Sequence, residues 1–260
     1  MDRKLILTTL CLALLTACGG SNDGTAINPT SLRVLWESPR GTGAGLVRAK
    51  NNEANGVAIV DDVNDAGSYA PVTLVEVISE QRNSDESYSG EVVVRSADGT
   101  LINIIGRFYD VARLYASTSD ANTYNIVADG SLATNMPIGS YSYTGYAESY
   151  YMFGNQEYEE NGSFVLNAQF AANKAQLTAN TDESRYFNNN LTIGDDGEIT
   201  GSNGTFIVFS SGSKQTELER RVVDFDGTFH GSGATHVSGI AIGGSSTDDN
   251  LSVIGILGKR

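Results

Sequence analysis

His230 and His236 are the only two histidines of the chain, and an imidazole pair is the side-chain chemistry that holds a haem iron or a metal ion. Their surroundings argue against that use. Side chains alternate between faces along a strand, so Phe225, Gly227 and Phe229 share one face while Asp226, Thr228 and His230 share the other. His230 is therefore expected to face outward into solvent, and a solvated strand histidine is the preferred reading over a haem ligand. Tyr141, Tyr143, Tyr146, Tyr150 and Tyr151 offer phenolate ligands or an adhesive protein-binding face. Tyrosine is also simply a good strand former. No cofactor and no metal ligands are assigned, and cofactor-binding residues stay unknown.

Enzymatic constellations are missing from the sequence. There is no G-x-S-x-G elbow, no H-E-x-x-H helix and no cysteine-zinc spacing. The run Asp61-Asp62-Val63-Asn64-Asp65-Ala66-Gly67 begins like a calcium loop, but Ala66 interrupts its oxygen donors and no glutamate closes it. It reads as a turn. Glu159-Glu160 has the composition of an acid-base pair, yet in an anionic chain adjacent acids are ordinarily solvated charge. Gly227, Gly231 and Gly233 precede a strand rather than a helix, so they form no phosphate cradle and instead permit close strand approach. The chain is expected not to be an enzyme. Acidic residues outnumber basic ones 31 to 17, which leaves no basic stripe for nucleic acid.

One further residue invites covalent chemistry. Met1-Asp2-Arg3-Lys4 carries a basic start, Leu5 to Leu15 is apolar and too short to span a bilayer, and Leu15-Thr16-Ala17-Cys18 ends in a small residue and a thiol. This stretch resembles the lipobox of bacterial lipoproteins, in which the cysteine becomes a triacylated N-terminus. The resemblance implies cleavage before Cys18, lipidation of Cys18 and loss of Cys11, so no disulfide framework remains. Each buried methylene contributes about 0.8 kcal/mol, so several chains on one residue hold the protein on a membrane permanently. Gly19 after the cysteine resembles the pattern passed to the outer membrane, with surface or periplasmic orientation left open. Residues 18–30 are small and polar and read as a flexible tether spanning roughly 15 Å.

The elements that position these residues are expected to be strands. Glycine is abundant, proline scarce and tyrosine the commonest aromatic, and short alternating runs bounded by Gly, Asn and Asp recur along the chain. In the first half Ser31 to Trp36, Gly56 to Asp61, Val72 to Ile78, Glu91 to Arg95, Thr100 to Asp110 and Thr123 to Val127 are strand candidates. Ser96-Ala97-Asp98-Gly99 suits a tight hairpin turn between the fourth and fifth. Composition shifts near Met136-Pro137-Ile138-Gly139, which divides the chain into residues 31–135 and 136–260. In the second half Tyr141, Tyr143 and Gly145 share a face, as do Phe164, Leu166, Ala168 and Phe170, and Ala175, Leu177 and Ala179. Asp195-Asp196-Gly197 turns between Leu191 to Ile193 and Glu198 to Thr200, Thr205 to Phe209 follows, and His236 to Ile242 and Leu251 to Leu257 end the chain. About eight short strands with one apolar face predict a closed antiparallel barrel. A membrane-spanning barrel is disfavoured, because its strands need about 9 to 11 residues with an unbroken lipid-facing stripe.

Gly227-Thr-Phe229-His-Gly231-Ser-Gly-Ala234-Thr-His-Val237-Ser-Gly239, followed by Val253-Ile-Gly255-Ile-Leu-Gly258-Lys-Arg260, resembles the last strands of the C-terminal barrel in transferrin-binding-protein-B-like surface lipoproteins. Pro137-Ile-Gly139-Ser-Tyr-Ser-Tyr143-Thr-Gly145 and Gly162-Ser-Phe-Val-Leu-Asn-Ala-Gln-Phe170 resemble the first two strands of that barrel. The resemblance implies an all-β chain, with an irregular N-terminal β handle domain followed by a C-terminal eight-stranded antiparallel β-barrel. It implies an outer-membrane protein that captures an iron carrier, haem or another ligand for an integral outer-membrane transporter. Two departures stand out. The chain is short enough to supply only one lobe, and His230 and His236 replace the family's aromatic and acidic positions. A structural or adhesive envelope lipoprotein without a small ligand is the alternative.

Overall fold

The computed structural model describes residues 44–52, 57–62, 73–95, 99, 101–120, 123–210, 216–244 and 250–260. The lipobox with Cys18, the tether, the candidate strand Ser31 to Trp36 and most of the calcium-like loop lie outside them; Asp61 and Asp62 belong to a strand. Strands β1 (Ala44–Asn52), β2 (Val57–Asp62), β3 (Thr73–Arg82), β4 (Tyr88–Arg95), β5 (Leu101–Phe108), β6 (Ala112–Asp120) and β7 (Thr123–Ser131) form one seven-stranded antiparallel sheet in the order β2-β1-β7-β6-β5-β4-β3. Strands β8 (Ser140–Phe153), β9 (Gln156–Gln169), β10 (Lys174–Asn180), β11 (Ser184–Ile193), β12 (Glu198–Phe209), β13 (Glu217–His230), β14 (His236–Gly243) and β15 (Ser252–Lys259) form a closed eight-stranded barrel. Each barrel strand pairs with its chain neighbours, and β15 returns to β8 to close the ring. The fold is thus all-β, a handle sheet followed by a barrel.

Alternation explains the barrel wall. Phe164, Leu166 and Ala168 point inward from β9, and Ala175, Leu177 and Ala179 do so from β10, while the intervening Val165, Asn167, Gln169, Lys174 and Gln176 face water. Glu91 to Arg95 and Leu101 to Ile105 pair as expected, with Arg95 opposite Leu101. The strands are not short, however: β8, β9 and β13 each run 14 residues. Sequence reading missed this extension because polar side chains interrupt the inward apolar run at one end of the barrel. There Tyr151 donates to Glu160 (2.7 Å), Thr181 donates to the same carboxylate (2.6 Å), and Ser149 bonds to Ser184 (3.1 Å), all of them buried. Glu160 is therefore a buried acceptor and not solvated charge. The two short candidates Glu198 to Thr200 and Thr205 to Phe209 are one strand, β12, with a register shift between Gly201 and Gly204.

The handle sheet lies down on the barrel through β6 and β7. Tyr109, Ala112, Leu114 and Ala128 pack against Ile240, Ile242, Leu251, Val253 and Leu257, so β14 and β15 are buried on both faces. Strands covered on both sides read as continuous apolar runs, which is how these two appear in the sequence. Two glycines set how closely the layers approach. A Cβ on Gly130 would lie against the Val111 carbonyl of the handle itself and 2.5 Å from Nδ1 of His230 across the seam, and one on Gly255 would lie 2.7 Å from Cδ1 of Leu114. The connecting segment is pinned as well, with the amides of Ala133 and Thr134 donating to the carbonyls of Phe229 (3.0 Å) and Gly231 (3.2 Å).

The substitution Gly130→Ala is expected to clash with both the Val111 carbonyl and the His230 ring and to destabilise the chain by about 2 kcal/mol. A lowered denaturant midpoint at unchanged far-ultraviolet signal checks this; an unchanged midpoint would mean that both neighbours give way.

Candidate functional site

The barrel interior is not a ligand chamber. Tyr143, Tyr151, Tyr186, Phe164, Phe206, Phe225 and Phe229 are fully buried and, with the inward alanines, leucines and isoleucines, fill it. A closed eight-stranded barrel has an interior just wide enough for side chains to occupy, and aromatic rings from facing strands meet across this one, Phe170 and Tyr143 each lying about 5 Å from Phe229 by ring centroid. The open concave space among the described residues therefore lies on the outer surface.

That surface carries a cleft of about 840 Å³, opened where the handle sheet overhangs the barrel. Its roof is β4 and β5, with Glu91, Asn103 and Ile105; its floor is β8 and β9, with Tyr146, Glu148, Glu159 and Asn161; Ser79, Glu80 and Gln81 of β3 form a rim. The volume falls within the range of about 300–1,000 Å³ typical of ligand sites. Ile105 is left 60% exposed in this hollow. Arg107 reaches across it, its guanidinium 4.8 Å from the Tyr146 ring centre, with Nε donating to Ser87 (2.8 Å) and Nη2 to Asp85 (2.9 Å). Tyr109 also donates to Asp85 (2.9 Å). Burial alone would raise the Asp85 carboxyl, but Ser87, Tyr109 and Arg107 outweigh it and hold the group below the ordinary range. On the floor the Tyr146 hydroxyl donates to Asn161, and burial raises the Tyr146 phenol above its usual value. Burial and the adjacent Glu159 push Glu148 up to about 7.

The structure disperses the residues singled out in the sequence. His230 does leave the barrel on its outer face, as alternation requires, but it is wholly buried beneath β7 and not solvated. Its two ring nitrogens are engaged: Nδ1–H donates to the Ser131 carbonyl (3.1 Å), and Nε2 accepts from the Ser238 hydroxyl (2.7 Å). His236 stacks beside Tyr109 at 4.8 Å, and its Nδ1 meets the Thr235 hydroxyl (3.0 Å). Of the tyrosines, Tyr143 and Tyr151 fill the barrel, Tyr141 packs at its end, and Tyr146 and Tyr150 lie on the handle side. Among the described residues no group of three or more His, Cys, Asp or Glu is placed to hold a metal ion. Arg107, Glu148 and Asn161 were invisible to motif reading, since each is an ordinary strand residue that acquires a role only through strand pairing and sheet placement.

These features define a class of architecture: a handle sheet packed on a closed, filled eight-stranded barrel, with a cleft on the outside. No family model matches the sequence, and no curated protein sequence does. Among solved structures, the chain has the fold of transferrin-binding protein B. A point mutant of that protein from Haemophilus parasuis superposes with a TM-score of 0.58 at 12% identity, covering 82% of this chain and 45% of that one. A double mutant of the same protein gives 0.55 at 13% identity over 83% and 44%, and the protein from Neisseria meningitidis gives 0.49 at 10% over 84% and 43%. The chain spans less than half the length of these relatives.

Two outcomes are expected of the histidines. With both His230 nitrogens engaged in the seam, added haem should give no saturable Soret shift that His230→Ala or His236→Ala abolishes; such a band would place iron on a histidine. Burial pushes both histidines down to about 4 from 6.5. The unfolded chain then binds protons that the fold refuses, so the histidine contribution to stability is complete above pH 6.5 and is lost as pH falls toward 4. For His230 this amounts to about 1.4 kcal/mol per pH unit across that window. Glu148 works in the opposite direction, its raised value costing stability as pH rises toward 7. Denaturant midpoints of Glu148→Gln, measured from pH 7 down to 5, isolate the histidine slope, and a flat profile would contradict it.

Proposed function

We propose that this chain is a non-enzymatic capture lipoprotein, anchored in the outer membrane through acyl groups on Cys18 and working in iron or haem uptake. The observation that carries the reading is the fold shared with transferrin-binding protein B. The solid barrel supports it, because a lobe without an interior chamber recognises a partner by its surface. On this reading residues 1–17 are the removed signal, 18–30 the tether, 31–135 the handle domain and 136–260 the barrel domain. An integral outer-membrane transporter is the expected recipient of the cargo. Transferrin-binding protein B is a binding protein, and the sequence here lacks the catalytic motifs sought, so no reaction is assigned.

The test uses the full chain extracted from membranes in detergent. Immobilised chain is expected to bind an iron-carrying protein, transferrin or haemoglobin, in a saturable way. Cys18→Ser is expected to move the chain from the membrane to the soluble fraction. A chain that stays membrane-bound through Cys18 yet binds no iron carrier, no haem and no transporter would support the alternative of a structural or adhesive envelope lipoprotein.

A further inference from the structure

The cleft between handle and barrel is unbalanced in charge. Glu80, Glu91, Glu148 and Glu159 line it, and Arg107 is the one basic residue among the described lining residues. Arg107 is committed to Asp85 and Ser87, so its charge is answered by a carboxylate outside this group. Glu148 and Glu159 stand on the paired strands β8 and β9 and both line the cleft, where the charge of Glu159 adds to burial in raising the Glu148 carboxyl. Above them the sheet leaves Ile105 exposed in a concave wall. An apolar side chain held in water inside a hollow is what an interface uses as an anchor.

We propose that this cleft is the docking groove for an extended polypeptide segment of a protein partner, one that carries lysine or arginine beside an apolar side chain. The cation seats between Glu148 and Glu159, and the apolar group packs on Ile105. Charge complementarity selects this occupant: the groove is anionic within a chain of net charge −14, which steers cationic segments toward it. A bare metal ion fits less well, because the hollow is far larger than an ion and no metal-binding group of three or more ligands is placed among the described residues. An anionic ligand meets four carboxyls. The floor and roof are paired strands, so the groove is rigid before anything enters it. Burial and Glu159 raise Glu148 to about 7, so a cation entering beside it favours release of its proton into solution. The biological setting rests on the capture reading above, while the chemistry of the groove does not.

The probe is the capped peptide acetyl-Lys-Leu-Lys-Leu-Lys-amide, with its glutamate counterpart as control, titrated calorimetrically into the full chain in detergent at pH 7. Two buffers of different protonation enthalpy count the protons released. The lysine peptide should bind saturably with proton release, and the glutamate peptide should not bind. The double variant Glu148→Gln/Glu159→Gln should bind at least ~10-fold more weakly without proton release, and Ile105→Ala should bind several-fold more weakly. Asp195→Asn, on the exposed turn between β11 and β12, should bind as the unaltered chain does. Absence of binding by the lysine peptide overturns the proposal, as does equal binding by the double variant. An equal loss in Asp195→Asn would also overturn it, since attraction would then be to overall charge. Ile105 is largely exposed, so its variant folds even if the glutamine pair perturbs the floor. Because the probe is not an iron carrier, its failure leaves the capture reading intact, and failure to bind an iron carrier leaves the groove intact.

Discussion

The burial of β14 and β15 on both faces is the constraint on which the rest of the structure depends. A barrel in water needs one apolar face per strand, turned inward. These two strands carry a second apolar face, Ile240 and Ile242 with Leu251, Val253 and Leu257, and it has to be covered. The handle covers it with β6 and β7, and the approach is close enough that Gly130 and Gly255 have no space for a side chain. His230 sits in the same seam as a neutral ring, donating to one layer and accepting from the other. A charged imidazole there would face a large desolvation cost, which ties the integrity of the seam to pH.

The seam also creates the cleft. The sheet is anchored at β6 and β7, and β5, β4 and β3 continue outward past the area of contact, over the barrel strands β8 and β9. Between them lies a hollow whose walls are both hydrogen-bonded sheet. The ion pair of Lys259 with Glu86 (2.5 Å) joins the end of β15 to the β3–β4 turn, a second tie on the far side of the seam, though a partly exposed pair of this kind contributes little energy. With the barrel interior filled by aromatic rings, the cleft under the overhanging sheet is the open concave space among the described residues.

Much of the barrel was legible because its inward positions obey period two. Phe164-Leu166-Ala168, Ala175-Leu177-Ala179 and Phe225-Gly227-Phe229 read correctly, as did the Asp195-Asp196-Gly197 turn. Reading failed where the periodic signal is interrupted. At one end of the barrel Ser149, Glu160, Thr181 and Ser184 interrupt the inward apolar run among residues such as Tyr151, Phe206 and Val223, so three strands looked shorter than they are. It failed also where a second layer intervenes: alternation placed His230 on the outer face correctly, but no local rule says that the outer face is covered.

The sequence by itself determined the all-β class and many of the strand faces and hairpin turns, because these follow from local alternation and turn chemistry within a few residues of each position. It also carried the glycine signatures that resemble the barrel of a known lipoprotein family. Only the tertiary structure decided that His230 is sealed in a seam, that Glu160 is a buried acceptor, and that Arg107, Ile105, Glu148 and Glu159 surround one cleft. Those residues come from β5, β8 and β9, and their meeting depends on where one sheet rests on another. That placement is set by packing of two apolar surfaces whose contacts are remote in the chain.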